Sequence, residues 1–272
     1  MRAGCAYFGV RVPRHAARDM DELAALGYTA VLHTFSENDL AHYRATMAEI
    51  VAASHRAGLE VQASPWGLGG TFGGEAESRF VAERPEACQL AEDGRRLPAA
   101  CFNQPAYRAL CREWADAALD AGVDYVFWDE PHWREPQGCR CDECRLRGGA
   151  ESSLVDFLGE LLAHVRRRGG RNTVCLLPLP GDWDAVAALP GLDVLATDPY
   201  WNCFGEPADS FVSRYVELLT ATAAAHGVAA QLWLPSFRLR AHDIPDLQQA
   251  VATARAAEST TSGRGASRPA RT

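Results

Sequence analysis

The chain has 272 residues, 47% of them apolar and 23% charged, which is ordinary globular usage and enough to bury a sizeable core. Its net charge of −8 argues against the clustered basic face that nucleic-acid binding requires, and no stretch approaches the roughly 18 apolar residues of a membrane span. Nine cysteines, an odd number in a chain of this length, argue against a disulfide-stapled module and for metal binding where they cluster.

The N-terminal run MRAGCAYFGVRVP lacks an apolar signal-peptide core and a cleavage site, so a cytoplasmic location is expected. Cys5–Val12 reads as a first strand, Ala17–Leu26 as a short helix and Thr29–Phe35 as a second strand. A long helix is expected from Glu37 to Ala57, with Leu40, Tyr43, Met47, Ile50 and Ser54 on one stripe and Gly58 closing it. Glu60–Trp66 is a third strand, followed by a long irregular stretch over Gly67–Gln104. Loops of that length inside a compact domain are usually functional or disordered. Its glycine run GLGGTFGG lacks the Lys-Ser/Thr ending of a phosphate loop and reads as a rim loop able to close over a ligand.

Pro105 opens a helix to Ala121, and a fourth strand follows in Gly122–Trp133, GVDYVFWDEPHW. Here an apolar run (Val123, Tyr125, Val126, Phe127, Trp128) ends abruptly in two carboxylates, Asp129 and Glu130. A buried parallel strand has no reason to end in charge unless its end opens onto solvent or substrate, and chemistry is placed at those ends in barrels and open α/β sheets. A Cys-rich loop and a helix over Ser153–Arg167 come next. Thr173–Leu179, Asp193–Asp198 and Ala229–Leu234 are three more strands, alternating with helices at Trp183–Leu189, Ser210–Ala225 and about Pro245–Ala257. Seven strand–helix units imply a parallel α/β sheet, a TIM-like (β/α)8 barrel whose eighth strand is not evident. Residues 1–258 form the barrel domain, and 259–272 (STTSGRGASRPART) read as a disordered tail. An unclosed edge would tend to recruit a second copy into a homo-oligomer.

Cys139-x-Cys141-x-x-Cys144 places three thiols within six residues, close enough to face one tetrahedral ion. Cys101, in the long loop before the fourth strand, is the candidate fourth ligand. Four protein ligands leave no open position, so the expected role is structural. Cys5, Cys88, Cys111, Cys175 and Cys203 read as packing residues.

The segment from Cys101 to Arg108, CFNQPAYR, resembles the one that supplies the first zinc cysteine in glycoside hydrolase family 42 β-galactosidases. The spacing from Glu130 to the C-x-C-x-x-C run resembles that family's acid/base and its remaining zinc cysteines. The resemblance is specific over Cys101–Cys144 and elsewhere rests on the order of elements. It implies a clan A TIM barrel, Glu130 as acid/base, and a structural zinc on Cys101, Cys139, Cys141 and Cys144. Two departures stand out. The family's Asn-Glu pair is Asp129-Glu130 here, and the stretch AAQLWLPSF carries no glutamate, with Gln231 near the nucleophile's expected place.

Glycosidic hydrolysis takes two carboxyl groups, one to protonate the leaving oxygen and one to attack or to activate water. Glu130 can be the acid, and Asp198, in ATDPYW, is the next carboxylate that ends an apolar run; Asp129 would hold Glu130 or the substrate. Aromatic and polar groups near strand ends supply a candidate sugar-binding set: Trp66, Trp128, Trp133, Tyr200, Trp201 and Trp233, with His33, His132 and Gln231 as hydrogen-bonding partners. A carbohydrate is therefore the expected substrate. Two other readings remain: a catalytically inactive carbohydrate-binding barrel with a structural zinc, and a metal-dependent isomerase or lyase, for which the strand ends offer few ligands.

Overall fold

The computed structural model describes residues 2–147 and 153–264, with side chains as far as residue 257. They fall into two compact units: Arg2–Val174 with Leu189–Leu192, and Cys175–Ala188 with the chain from Asp193 onward.

The larger unit begins with β1 (Gly4–Tyr7), α1 (Pro13–Ala25) and β2 (Ala30–Thr34). The long helix expected next is two helices, α2 (Glu37–His42) and α3 (Arg44–Arg56), separated at Tyr43. Ser36 opens α2 in a reciprocal capping box with Asp39. The break has a local cause: the Leu40 carbonyl, which an unbroken helix would give to the Arg44 amide, is met instead by Arg44 Nε at 2.7 Å.

After β3 (Glu60–Ser64), the stretch expected to be irregular contains the short helix α4 (Arg79–Glu83) and an antiparallel hairpin, β4 (Cys88–Leu90) and β5 (Arg96–Ala100). Gly94 closes the hairpin turn at φ 83°, and Asp93 Oδ1 accepts from the Arg95 amide at 2.9 Å. Then come α5 (Pro105–Asp120), β6 (Tyr125–Asp129), the short α6 (Asp142–Leu146) and α7 (Ser153–Arg167). β7 (Arg171–Leu176) begins in this unit and ends in the other.

The smaller unit holds α8 (Trp183–Ala187), β8 (Val194–Thr197), α9 (Trp201–Phe204), α10 (Ala208–His226), β9 (Ala229–Leu232) and α11 (Ile244–Arg264). α11 runs beyond its expected end near Ala257; residues 265–272 of the expected tail lie outside the described residues.

Strand order is β1-β2-β3-β6-β7 in the larger unit and β7-β8-β9 in the smaller. The sequential pairs β1–β2, β2–β3, β3–β6 and β8–β9 are all parallel. This is the TIM-like β/α fold expected, and no eighth parallel strand is present among the described residues. The central strands β2 and β3 are buried almost throughout, whereas the outer strand β1 is exposed at Gly4 and Ala6. Among the described residues no helix is long and apolar enough to cross a membrane.

Candidate functional site

Alternation along the strands decides which side chains reach the strand ends and which are lost to the helix layer. His33 and Trp128 are lost. His33 is 2% exposed, its Nε2 lies 2.9 Å from Ser54 Oγ on α3, and burial with the Arg11 charge pulls its pKa down to about 4. Trp128 is fully buried, packs against Trp114 of α5, and donates from Nε1 to Asn172 Oδ1 at 3.1 Å. Both were expected to touch sugar. Both instead join sheet to helices, because strand parity turns them away from the face that carries Asp129.

Asp129 ends β6 on the opposite face, where the Ser64 hydroxyl donates to Oδ2 over a long 3.5 Å. Successive strand residues point to opposite sides, so Glu130 would ordinarily diverge from Asp129. It does not. Glu130 has φ 42°, in the left-handed region that few non-glycine residues occupy, and the kink swings its side chain round. Asp129 Oδ2 and Glu130 Oε2 then both lie 2.8 Å from where a Cβ on Gly73 would sit. A side chain there would have to push both carboxyl groups aside. The Gly73 amide donates to the Asp129 carbonyl at 2.9 Å, fastening the glycine-rich loop directly onto the strand tip.

Withdrawal from water, reinforced by the charge of Glu130 and opposed by the Ser64 hydroxyl, pushes the Asp129 pKa up to about 8. Asp129 therefore holds a proton at neutral pH beside a second carboxyl group. That is the electrostatic signature of paired acids tuned for proton transfer.

The loop is anchored from behind by Glu37 at the start of α2. Its Oε1 accepts from the Gly69 amide at 2.9 Å and the Ser78 hydroxyl at 2.6 Å, and its Oε2 from the Phe80 amide at 2.8 Å. Trp66, at the end of β3, has φ 33° and stacks on Phe8. His132 donates from Nδ1 to the Glu130 carbonyl at 2.6 Å, holding the turn after the acidic pair. Trp133 lies elsewhere than expected: it meets Phe102 edge-on at 4.6 Å and packs against the cysteine cluster. Ser64, Gly73, Phe8 and Glu37 were not singled out from sequence. Glycine spacing in GLGGTFGG was the one usable signal; the others depend on contacts between segments distant in the chain.

The four cysteines converge. The sulfurs of Cys101, Cys139, Cys141 and Cys144 all lie within 4.8 Å of one another and are buried. Cys101 approaches Cys144 at 3.4 Å and Cys141 at 3.5 Å. A tetrahedral zinc–thiolate site, with Zn–S near 2.3 Å, has sulfur–sulfur edges of about 3.8 Å, so the cage fits such an ion. Backbone amides support it: Leu90 and Cys141 donate to Cys139, and Asn103 to Cys101, at 3.2–3.4 Å. The Asn103 side chain also donates to Cys144 at 3.3 Å, and its carbonyl accepts from Arg108, which is paired with Glu160. The four thiols share protons and split: hydrogen bonding, from Cys101 first, lowers the pKa of Cys139 to about 7 and that of Cys141 further, while Cys101, hydrogen-bonded to Cys139 first, and Cys144 are raised. Thiolate-stabilising donors around four converging sulfurs are what a metal cage needs.

In the smaller unit, Asp198 follows β8 and is buried; its carbonyl accepts from the Tyr200 amide at 2.6 Å. Tyr200 meets Phe237 edge-on at 5.2 Å, while Trp201 is buried at the start of α9. The register pairs Ala196 with Gln231, so Asp198, Gln231 and Trp233 share one strand face. Gln231 Oε1 is buried without a hydrogen-bond partner. A separate groove of about 470 Å³ lies between α2, α4 and α5, lined by Glu37, Leu40, Arg44 and Phe80 among others, and includes no strand-end residue.

No protein-family profile and no curated protein matches the sequence. Solved structures do match in fold. The hyperthermostable endo-1,4-β-D-mannanase from Thermotoga petrophila RKU-1 superposes with TM-score 0.62 at 9% identity, over 94% of this chain and 85% of that one. GH5_18 from Streptomyces cattleya, in complex with GlcNAc, gives 0.62 at 14% identity, over 93% and 67%. The catalytic domain of β-amylase from Paenibacillus polymyxa gives 0.59 at 11%, over 93% and 90%. Two further neighbours are spanned over only 49% and 62% of their length. At these identities the likeness establishes the fold alone: a TIM-like β/α barrel.

Proposed function

We propose that the chain is a glycosidase acting on a carbohydrate, with the Asp129–Glu130 pair as its proton-transfer centre. Glu130 delivers to the leaving glycosidic oxygen the proton that the pair carries at rest on Asp129, passed from one carboxyl group to the other, and Asp129 holds Glu130 and the substrate. The single observation that carries this reading is the convergence of both carboxyl groups on Gly73 at a kinked strand end. Ordinary loop carboxylates would not be held together against their repulsion, nor in a strained backbone. The resemblance to family 42 β-galactosidases supports the same assignment of Glu130, and the mannanase and GlcNAc-bound neighbours support a carbohydrate substrate. In the smaller unit, Asp198 with Tyr200, Trp201, Gln231 and Trp233 is proposed as a carbohydrate-contacting set on its own strand-end segments, and in the larger unit His132 and Trp66 are proposed contacts beside Glu130. A structural zinc on the four cysteines would hold the β4–β5 hairpin and the loop after Glu130 together. Exposed β1 supports a homo-oligomer in the same picture.

Glu130→Gln keeps the shape and removes the proton. Turnover of nitrophenyl glycosides is expected to fall at least about a hundredfold, the scale of general acid catalysis, with the melting temperature retained. Unchanged turnover in that variant would end the assignment. The second reading, a carbohydrate-binding barrel without catalysis, is favoured by β9, which carries no carboxylate. Oligosaccharide binding by the native chain without any hydrolysis would select it.

A further inference from the structure

Phe8 follows β1 and Trp66 follows β3, and their rings stack with centroids 5.1 Å apart and planes 23° from parallel. Phe8 is 55% exposed. Large apolar rings in core positions are covered, whereas Phe8 stands in solvent and Trp66 is only half-buried beneath it. Trp66 also holds a backbone conformation that bulky residues avoid, and such strain gathers at ligand-contacting positions. Gly74 lies against the indole: a Cβ there would come within 2.6 Å of Trp66 Cδ2. Its neighbour Gly73 lies against the two carboxyl groups. Consecutive Cα atoms are about 3.8 Å apart, so the Trp66 indole and the acidic pair lie against neighbouring residues of one loop.

We propose that Phe8 and Trp66 form a stacking shelf for the C–H face of a pyranose ring, receiving the sugar unit next to the bond that the carboxyl pair attacks. Gly73 and Gly74 keep the path between shelf and acids clear of side chains. The shelf's role as a sugar site stands on the ring geometry; its place beside the scissile bond rests on the glycosidase reading above.

The test uses the full-length chain carrying Glu130→Gln, so that bound oligosaccharide is not consumed. Cellotetraose, mannotetraose and chitotetraose are titrated by calorimetry, with tryptophan fluorescence in parallel. At least one is expected to bind and to perturb the tryptophan emission. Adding Phe8→Ala, an exposed change that leaves the melting temperature in place, should weaken that binding about five- to tenfold, the worth of one aromatic contact. Phe8→Tyr should restore it. Equal affinity with and without Phe8→Ala overturns the shelf, as does absence of binding by all three sugars at millimolar concentration. The two proposals fail separately: turnover surviving Glu130→Gln sinks the acid and spares the shelf, whereas binding indifferent to Phe8→Ala does the reverse.

Discussion

Two adjacent acids on one strand end are brought to bear on the same point only because the backbone at Glu130 departs from extended geometry. The consequence can be titrated. Asp129 has a folded-state pKa near 8 against an unfolded value near 4, so the folded chain binds the extra proton between those limits. Its contribution to stability is full below about pH 4 and is lost as pH rises toward 8. His33, drawn down to about 4, works the other way, losing stability as pH falls from about 6.5. The difference in unfolding free energy between the native chain and Asp129→Asn isolates the first effect. That difference should move steadily in the variant's favour from pH 4 to 8 in urea titrations; a flat difference would show that Asp129 titrates normally. Gly73→Ala addresses the same point by volume. A methyl group 2.8 Å from both carboxyl oxygens forces them apart, and turnover should drop tenfold or more with modest loss of stability.

Among the elements, the loop Gly67–Ser78 gains its order from α2 rather than from its own composition. Glu37 collects the Gly69 amide and the Ser78 hydroxyl from it and the Phe80 amide just beyond it in α4, and bonds to a charged group contribute up to about 1.5–3 kcal/mol each net of water. Glu37→Ala should cost about 2–3 kcal/mol and speed hydrogen exchange at the Gly69 and Phe80 amides; unchanged exchange there would show that the clamp is idle. This is also where the sequence was hardest to read. The parallel strands and the helices after Pro105 and at Ser153 were legible because apolar runs and periodic stripes are local. The break at Tyr43 was not, since no glycine or proline marks it and a side chain takes the helical carbonyl. The β4–β5 hairpin did leave a sign, Asp93-Gly94, inside a stretch whose length argued for a functional or disordered loop.

On the scale of the whole molecule, the cysteine spacing was the most legible feature, because thiol positions in a short loop determine what they can share. The roles of His33 and Trp128 were not, because a strand-end position does not reveal which face the side chain takes. The cage joins Cys101, just past β5, to the loop after β6, and through Asn103 and Arg108 it reaches Glu160 on α7. Removing the proposed zinc should therefore be felt as lost global stability. A loss of only about 2 kcal/mol lowers Tm by roughly 4–8 °C in a domain of this size. Cys141→Ser, or prolonged chelation, should produce at least that shift together with loss of one equivalent of metal by elemental analysis. Full metal content in Cys141→Ser would refute the cage.

The left-handed turn at Glu130 carries an implication for how this sequence would drift under selection. A side-chain-bearing residue there stores about 1–2 kcal/mol that glycine would release, partly offset by the looser unfolded chain glycine creates. Glycine would also relieve Asp129 of its charged neighbour. A laboratory lineage screened for heat tolerance alone should therefore replace Glu130 early and survive as a sturdier, inert barrel. Only a screen that also rewards turnover would preserve the awkward acid.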